Sequence, residues 1–543
     1  MIGDSAGLLH NICEPSNILG AFRYALRDRL QDHYYDPIEI EYASQHEKTI
    51  LAEIARELKD PECYKPRPAY GYFPPKSDLC VRRMVYIPFK DLVVRYACLT
   101  VFSNLLDQQL SQKCFANRRA HGEAAQNLFL QEFASLGWPR FCKWQRKCAA
   151  NPAFRILLRT DISAFYDSVC HKYLIRSLEN QLTIQAGSKL MKFFQKVLRV
   201  PVICYSHLTG KAGQAETMYQ GLAIGNNTEG VLANLYLRTV DDGMAEIDGI
   251  AFGRYNDDMR IFAKDRGSAN RAILVLQELL LAKNLNLNSS KTKPAEGSWE
   301  INKLRSKAYE AYDYDRWEDE FSLIRSIPIS DRPFDEFNRD FVPGQILEKQ
   351  QDAKDFCHFL SRKTPLEERL PSHVDMLRLA MTRWPGCGRH ASWRLVETIA
   401  RDACPTATRA HAVQVLLDCL SDRDIAYYVK YRLLHHLAKP RGGLEGNRNY
   451  FDKLGSRARN KIKKVLPTLL NEKAFELNII ALYVLKVLGA SHSELERVVG
   501  SNAPKPVGTP IRNALFLAAK AHPEPVNFAL AELSESDGSE DYY

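Results

Sequence analysis

Asp257 and Asp258 stand side by side in the stretch FGRYNDDMRIF, where one strand-like run ends and another begins. Neighbouring carboxylates repel unless a cation or water lies between them, and Mg²⁺ is the oxygen-seeking ion that usually needs such a pair. A third carboxylate, Asp161, ends the apolar run of LLRTDISAFYDSV, which continues through Phe165, Tyr166 and Asp167 into a helix-like segment. A strand end beside a hairpin brings three carboxylates toward one spot. Two Mg²⁺ ions held there can activate an attacking hydroxyl and stabilise a leaving pyrophosphate. Taken alone, Asn256-Asp257 is also ordinary turn chemistry, so the doublet gains meaning only from its surroundings.

The elements that must position these residues alternate. From about 76 to 300, strand-like pieces such as FRILLRTDIS and GIAFGRYND interleave with helix-like ones such as KDLVVRYACLTVFSNLLDQQL and SANRAILVLQELLLAKN, an α/β pattern. Residues 1–75 form an N-terminal extension that ends in YKPRPAYGYFPPK, read as extended or irregular because proline interrupts any helix. Residues 301–340, with YDYDRWEDEF, read as a linker, and 341–525 as helical pieces such as HVDMLRLAMTRW and ELNIIALYVLKVLGA. Paired amphipathic helices with short loops suggest a repeat of the HEAT kind, with an irregular bundle as the alternative. Residues 526–543 read as an acidic flexible tail.

With 543 residues, 45% hydrophobic and 26% charged, the chain has the material for several cores and is neither disordered nor fibrous. A net charge of +9 fits a polyanion partner. The 13 cysteines are scattered, with no C-x-x-C pair, and no signal peptide or long apolar span is visible, which predicts a cytoplasmic protein without a membrane segment. Cys387, His390, Cys404 and His411 lack the paired spacing of a closed zinc site.

Five elements occur in an order that resembles reverse transcriptases: the fingers stretch RRMVYIP, Asp161 with its aromatic pair (motif A), GLAIGNNTEGVLANLYL (motif B), Tyr255-Asn256-Asp257-Asp258 (the Y-x-D-D of motif C) and LNLNSSKTK (motif D). The resemblance covers roughly 76–300 and implies a right-hand fold of fingers and palm followed by an all-α, HEAT-like domain in place of a thumb. It implies that Asp161, Asp257 and Asp258 bind two Mg²⁺ ions, or Mn²⁺, with the Ile162 carbonyl nearby. Lys291 would protonate the leaving pyrophosphate. Arg83 and Lys90 would hold the triphosphate of an incoming deoxynucleotide, Tyr166 would block a 2′-OH, and Phe165, Ile224, Gly225, Tyr255 and Asn256 would line the nucleotide site.

Departures from the pattern carry information. The motif B positions usually held by Pro, Gln and Ser are Ala223, Ile224 and Glu229, which predicts unusual template reading. Such a palm with a helical C-terminal half resembles the abortive-infection and defence-associated reverse transcriptases of bacteria. That class implies anti-phage defence by DNA synthesis, templated or not, a noncoding RNA partner, homo-oligomers and, in some members, a tyrosine primer. Tyr542 and Tyr543 are the candidate primers here, with Tyr34 and Tyr35 the runners-up. The alternatives are a templated enzyme of the retron or group II intron kind and a catalytically silent RNA-binding scaffold.

Overall fold

The computed structural model describes residues 4–31, 36–76, 80–120, 134–204, 216–289, 292–296, 365–438, 450–470 and 474–491, with scattered positions at 353–360 and 493–497. Lys291, Tyr34, Tyr35, Tyr542, Tyr543, the expected linker 301–340 and the expected tail 526–543 lie outside the described residues.

Four helices open the chain: α1 (Ser5–Cys13), α2 (Pro15–Gln31), α3 (Pro37–Gln45) and α4 (Glu47–Glu57). Asp4 and Asp36 start α1 and α3 by accepting bonds from backbone N–H groups of the first turn. The tyrosine- and proline-rich segment after α4 is not wholly irregular. Its Ala69–Tyr72 forms β1, because Tyr70–Tyr72 pair antiparallel with β2 (Met84–Tyr86) and Ala69–Gly71 pair parallel with β4 (Pro201–Cys204). This small sheet runs β2–β1–β4–β5, with β5 at Glu216–Thr217. α5 (Phe89–Leu106) is buried over most of its circumference, as suits a helix apolar on nearly every side.

The larger sheet carries the aspartates. After α6 (Ala134–Ala150), β3 (Ile156–Asp161) leads into a helical turn at Phe165–Ser168, then α7 (His171–Leu182) and α8 (Lys189–Leu198). Helix α9 (Thr228–Ala245) precedes the hairpin of β6 (Ile250–Tyr255) and β7 (Asp258–Ala263); α10 (Arg266–Leu281) and β8 (Lys293–Glu296) follow. Strand order is β6–β7–β3–β8, all antiparallel. Successive side chains point to opposite faces, so Ile156, Leu158, Met259 and Ile261 enter the main core, while Leu157 and Phe262 are buried against Phe141 and Trp144 of α6.

The C-terminal half is helical: α11 (Pro371–Arg383), α12 (Gly388–Ala400), α13 (Thr406–Ser421), α14 (Tyr427–Ala438), α15 (Ser456–Leu469) and α16 (Phe475–Val487). α11, α13 and α15 touch in succession, as do α12, α14 and α16, giving two layers. Their shared core continues into Ile38 and Ile40 of α3 and into Tyr72, Met84 and Tyr86 of the small sheet. Each such side chain fully buried contributes on the order of 1.5–3 kcal/mol. Polar contacts at this seam are Lys486 to Glu41 at 3.0 Å and the Tyr427 hydroxyl donating to the Phe73 carbonyl at 3.1 Å. Among the described residues, no helix is long and apolar enough to cross a membrane.

Candidate active site

Asp161 and Asp258 are direct cross-strand partners, the last rung of the β3–β7 ladder. Asp257 sits in the two-residue turn that joins β6 to β7. Asn256 takes a φ of +55°, the positive value that tight hairpin turns need at their first loop position and that asparagine tolerates better than most residues. The unusual Asn in the second place of Y-x-D-D therefore has a local reason.

Behind the turn lies a buried polar network that the motifs did not single out. Arg254, fully buried, grips Asp241 of α9 with both arms of its fork at 2.7 and 2.8 Å. Its Nη1 donates to the Asn234 side chain at 2.9 Å and to the Asn256 carbonyl at 3.3 Å. Asn234 in turn donates to the carbonyls of Ala116 (2.7 Å) and Asn117 (3.3 Å), and the Asn117 side chain donates to that of Asn256. Burial raises the Asp241 carboxyl above its ordinary value and the guanidinium opposes that push. The network ties the turn that carries Asp257 to α9 and to the loop before α6.

The face of the sheet that bears the aspartates changes character rung by rung. Leu157 and Phe262 pair under α6, Arg159 and Arg260 pair one pleat further, and Asp161 and Asp258 pair at the end. Arg260 donates from Nη2 to Asp258 Oδ2 at 2.9 Å and from Nη1 to Oδ1. Asp161 accepts from the Asn288 side chain at 3.3 Å, and its carbonyl accepts from the Asn288 N–H at 2.8 Å. Ser163 N–H donates to Asn286 O at 2.8 Å, so LNLNSSKTK runs beside motif A. Ile162 pairs with Leu287 between these two bonds, which turns its own carbonyl away from that segment.

Hard carboxylate oxygens at adjacent strand ends are the right donors for Mg²⁺. Among the described residues, no group of three His, Cys, Asp or Glu that could hold a metal is formed. Asp161 and Asp258 meet in the backbone register, and Asp257 adjoins them in the turn. Asp258 is held by Arg260, and Asp161 is bonded to Asn288.

The motif B loop packs under the motif A turn. Leu222 N–H donates to Tyr166 O and Gly221 N–H to Val169 O, both at 2.8 Å. His171 Nε2 donates to Gly221 O at 2.7 Å, and burial pushes this imidazole down to about 4, keeping it neutral. Gly225 has a φ of +119°, and a Cβ there would meet the Tyr72 hydroxyl at 3.1 Å and Val85 O at 3.3 Å. Val85 N–H donates to Ile224 O at 2.6 Å, which joins this loop to β2.

The other expected site residues have surroundings of their own. Phe165 is only 2% exposed and belongs to the core, its ring 5.2 Å from that of Tyr166 between centroids. Tyr255 packs edge-on to Trp138 at 5.1 Å, against α6. Lys90 is paired with Glu53 of α4, while Arg83 is exposed beside β2. Glu229 is not template-side: it is buried, pairs with Arg95 of α5 and accepts from Thr228 at 3.1 Å, locking α9 to α5. The residues overlooked were Arg254, Asn234, Asp241 and Arg260. Only Arg260 had a readable signal, the mirrored patterns L-x-R-x-D and D-x-R-x-F at strand period.

Residues 101–314 match the family model described as reverse transcriptase (RNA-dependent DNA polymerase). That span holds all three aspartates and is an RNA-directed DNA polymerase domain. No curated protein matches the chain. Among solved structures, a chain of a partial Cas6-RT-Cas1–Cas2 complex is 18% identical over 51% of this chain and 42% of its own, with a TM-score of 0.28. A chain of a Cas6-RT-Cas1–Cas2 complex is also 18% identical, over 51% of this chain and 26% of its own, with a TM-score of 0.28. The chain therefore spans less than half the length of either.

Proposed function

We propose that this chain adds deoxynucleotides to a growing 3′ end at the strand ends of β3 and β7, in the anti-phage, abortive-infection manner of the enzymes its motifs resemble. The observation that carries the reading is the Asp161–Asp258 rung with Asp257 in the adjoining turn. Asp161 and Asp257 would hold the divalent cation, with Asp258 completing the set. Such an ion supplies positive charge against the triphosphate and the departing pyrophosphate.

This chain's own residues do the rest. Tyr166, its carbonyl fixed by the bond from Leu222, supplies the bulky ring that would exclude a ribose 2′-OH. The positive-φ glycines Gly221 and Gly225 let this loop pack closely against the motif A turn and β2. Ile224 brings an apolar side chain where a template-side glutamine is usual, which supports synthesis that does not depend on an ordinary template. Arg83, exposed at the fingers, is the residue left to meet the triphosphate, since Lys90 is engaged by Glu53.

The helical half, continuous with the fingers core, takes the place of a thumb in this reading, and a noncoding RNA and further copies of the chain are its partners. Priming from Tyr542, Tyr543, Tyr34 or Tyr35 belongs to the same proposal. The test is deoxynucleotide incorporation by the purified protein with and without added RNA. Asp257→Ala with Asp258→Ala should abolish incorporation while circular dichroism stays unchanged. Undiminished synthesis by that variant would sink the assignment. Synthesis that requires added RNA would instead select the retron or group II intron kind of enzyme.

A further inference from the structure

We propose that the exposed face of α15 holds a single nucleic-acid strand by its phosphates, through Arg457, Lys461 and Lys464. The inference rests on the RNA-directed DNA polymerase domain, whose template and product are both polyanions, and it gives such a partner a place on the helical half.

Helix α15 carries charge of one sign. Between Asp452 and Glu472 the chain has six lysines and arginines and no acidic residue. Ala458, Ile462, Leu466 and Leu469 are the buried row that fastens the helix to its neighbours. The opposite row, Arg457, Lys461, Lys464 and Thr468, is exposed. At a rise of 1.5 Å per residue the three charges follow one another along about 10 Å of helix. Other cations of this layer are matched: Arg378 pairs with Asp418, Arg409 and Lys453 with Asp402 and, on α15 itself, Lys463 with Glu494. Arg457, Lys461 and Lys464 form no ion pair among the described residues.

The place of this row in the fold leaves it open to a partner. The seam with α3 and the small sheet takes its polar contacts from Tyr427 of α14 and Lys486 of α16, both in the other layer. Like charges one helical turn apart repel and weaken a helix, and a polyanion lying along the row removes that repulsion. Lysine and arginine meet phosphate oxygens without reading base or sugar, so RNA and DNA strands are held alike. Counterions released from the strand make such binding fall steeply as salt rises.

The experiment is fluorescence anisotropy of short, labelled RNA and DNA single strands of mixed sequence with the full-length protein, across a salt series and without deoxynucleotides. Arg457→Gln with Lys461→Gln and Lys464→Gln should weaken both strands alike, by roughly one to two powers of ten at about 0.1 M salt. The slope of log affinity against log salt should fall by about 2, since each phosphate of a single strand contributes about 0.7. All three side chains are exposed, so the circular dichroism should not change. Arg378→Gln with Arg383→Gln and Arg423→Gln removes the same charge from other exposed positions of the helical half and should leave the slope nearly as it was. Equal weakening by the two triple variants would make the effect one of net charge and overturns the inference. An unchanged slope in the α15 variant overturns it as well. So does binding of polyglutamate, and not of either strand, that depends on the row, which would give the face to an acidic protein. A protein that binds neither strand at any salt takes the polymerase reading down with this inference; binding that ignores α15 overturns this inference alone.

Discussion

Two arginine–aspartate forks serve the same hairpin and differ in surroundings. Arg254–Asp241 lies behind the turn with side chains 0% and 2% exposed, and Arg260–Asp258 lies beside the turn at the rim with 12% and 36%. The chemistry of the two pairs is alike, but their settings are not. A buried pair cannot be opened without stranding a charge in a medium that solvates it poorly, so it acts as a fixed joint. A pair at the rim can exchange one partner for water or for another cation, so it can take part in binding. The same two residue types make a scaffold or an adjustable site according to burial, which neither residue encodes by itself.

The strongest way to break this contrast is at the buried pair. Asp241→Leu leaves Arg254 uncompensated and should cost about 3–5 kcal/mol in urea unfolding. The double variant Asp241→Leu with Arg254→Met should recover much of that loss, since apolar residues of similar volume often replace a buried pair without penalty. A double variant as unstable as the single one would show that the network to Asn234 and Asn256 matters more than the pair.

A third carboxyl extends the comparison, because it has burial without an arginine. Burial raises Glu476, near the seam between the helical half and the small sheet, up to about 7, with the Tyr427 hydroxyl as its hydrogen-bond partner. A carboxyl whose folded value is raised binds its proton more tightly in the folded chain. Its contribution is therefore fully present below the unfolded value near 4.5 and is lost as pH rises through about 7. Glu476→Gln should flatten the pH dependence of stability between these limits, removing a slope worth on the order of 3 kcal/mol. The thermal midpoint measured across that window checks it, and a slope unchanged by the substitution would count against the assignment.

Smaller effects sharpen the picture at the turn and the rim. Asn256→Ala gives up both the tolerance of positive φ and the bond from Asn117, and should cost about 1–2 kcal/mol; Asn256→Gly should recover the backbone part. Comparing their unfolding midpoints separates the two contributions. Arg260→Gln should change stability least, by less than about 1 kcal/mol, as befits a pair near the surface. A loss as large as that at Asp241 would erase the distinction between the two forks.

Much of the site was legible from spacing. The carboxylates at a strand end and a hairpin, the α/β alternation and the helical C-terminal half all follow from periodicity and turn chemistry, which are local. Partner choice was not legible. Glu229 resembled a template-side position and is instead bound to Arg95 of α5, 134 residues away in sequence. Phe165 resembled a site residue and is core, because a single helical turn rotates it inward while Tyr166 stays partly exposed.

By itself, then, the sequence determined which side chains alternate on each strand, where the chain must turn and which oxygens stand at the strand ends. Those features depend only on neighbours within a few residues and on the two-residue period of a strand. Tertiary structure alone decided which arginine is locked and which is at the rim, and that Asp258 is held while Asp161 leans on Asn288. Burial and long-range partners set the strength of a charge, and both come into being only when α6 and α9 close over the two faces of the sheet.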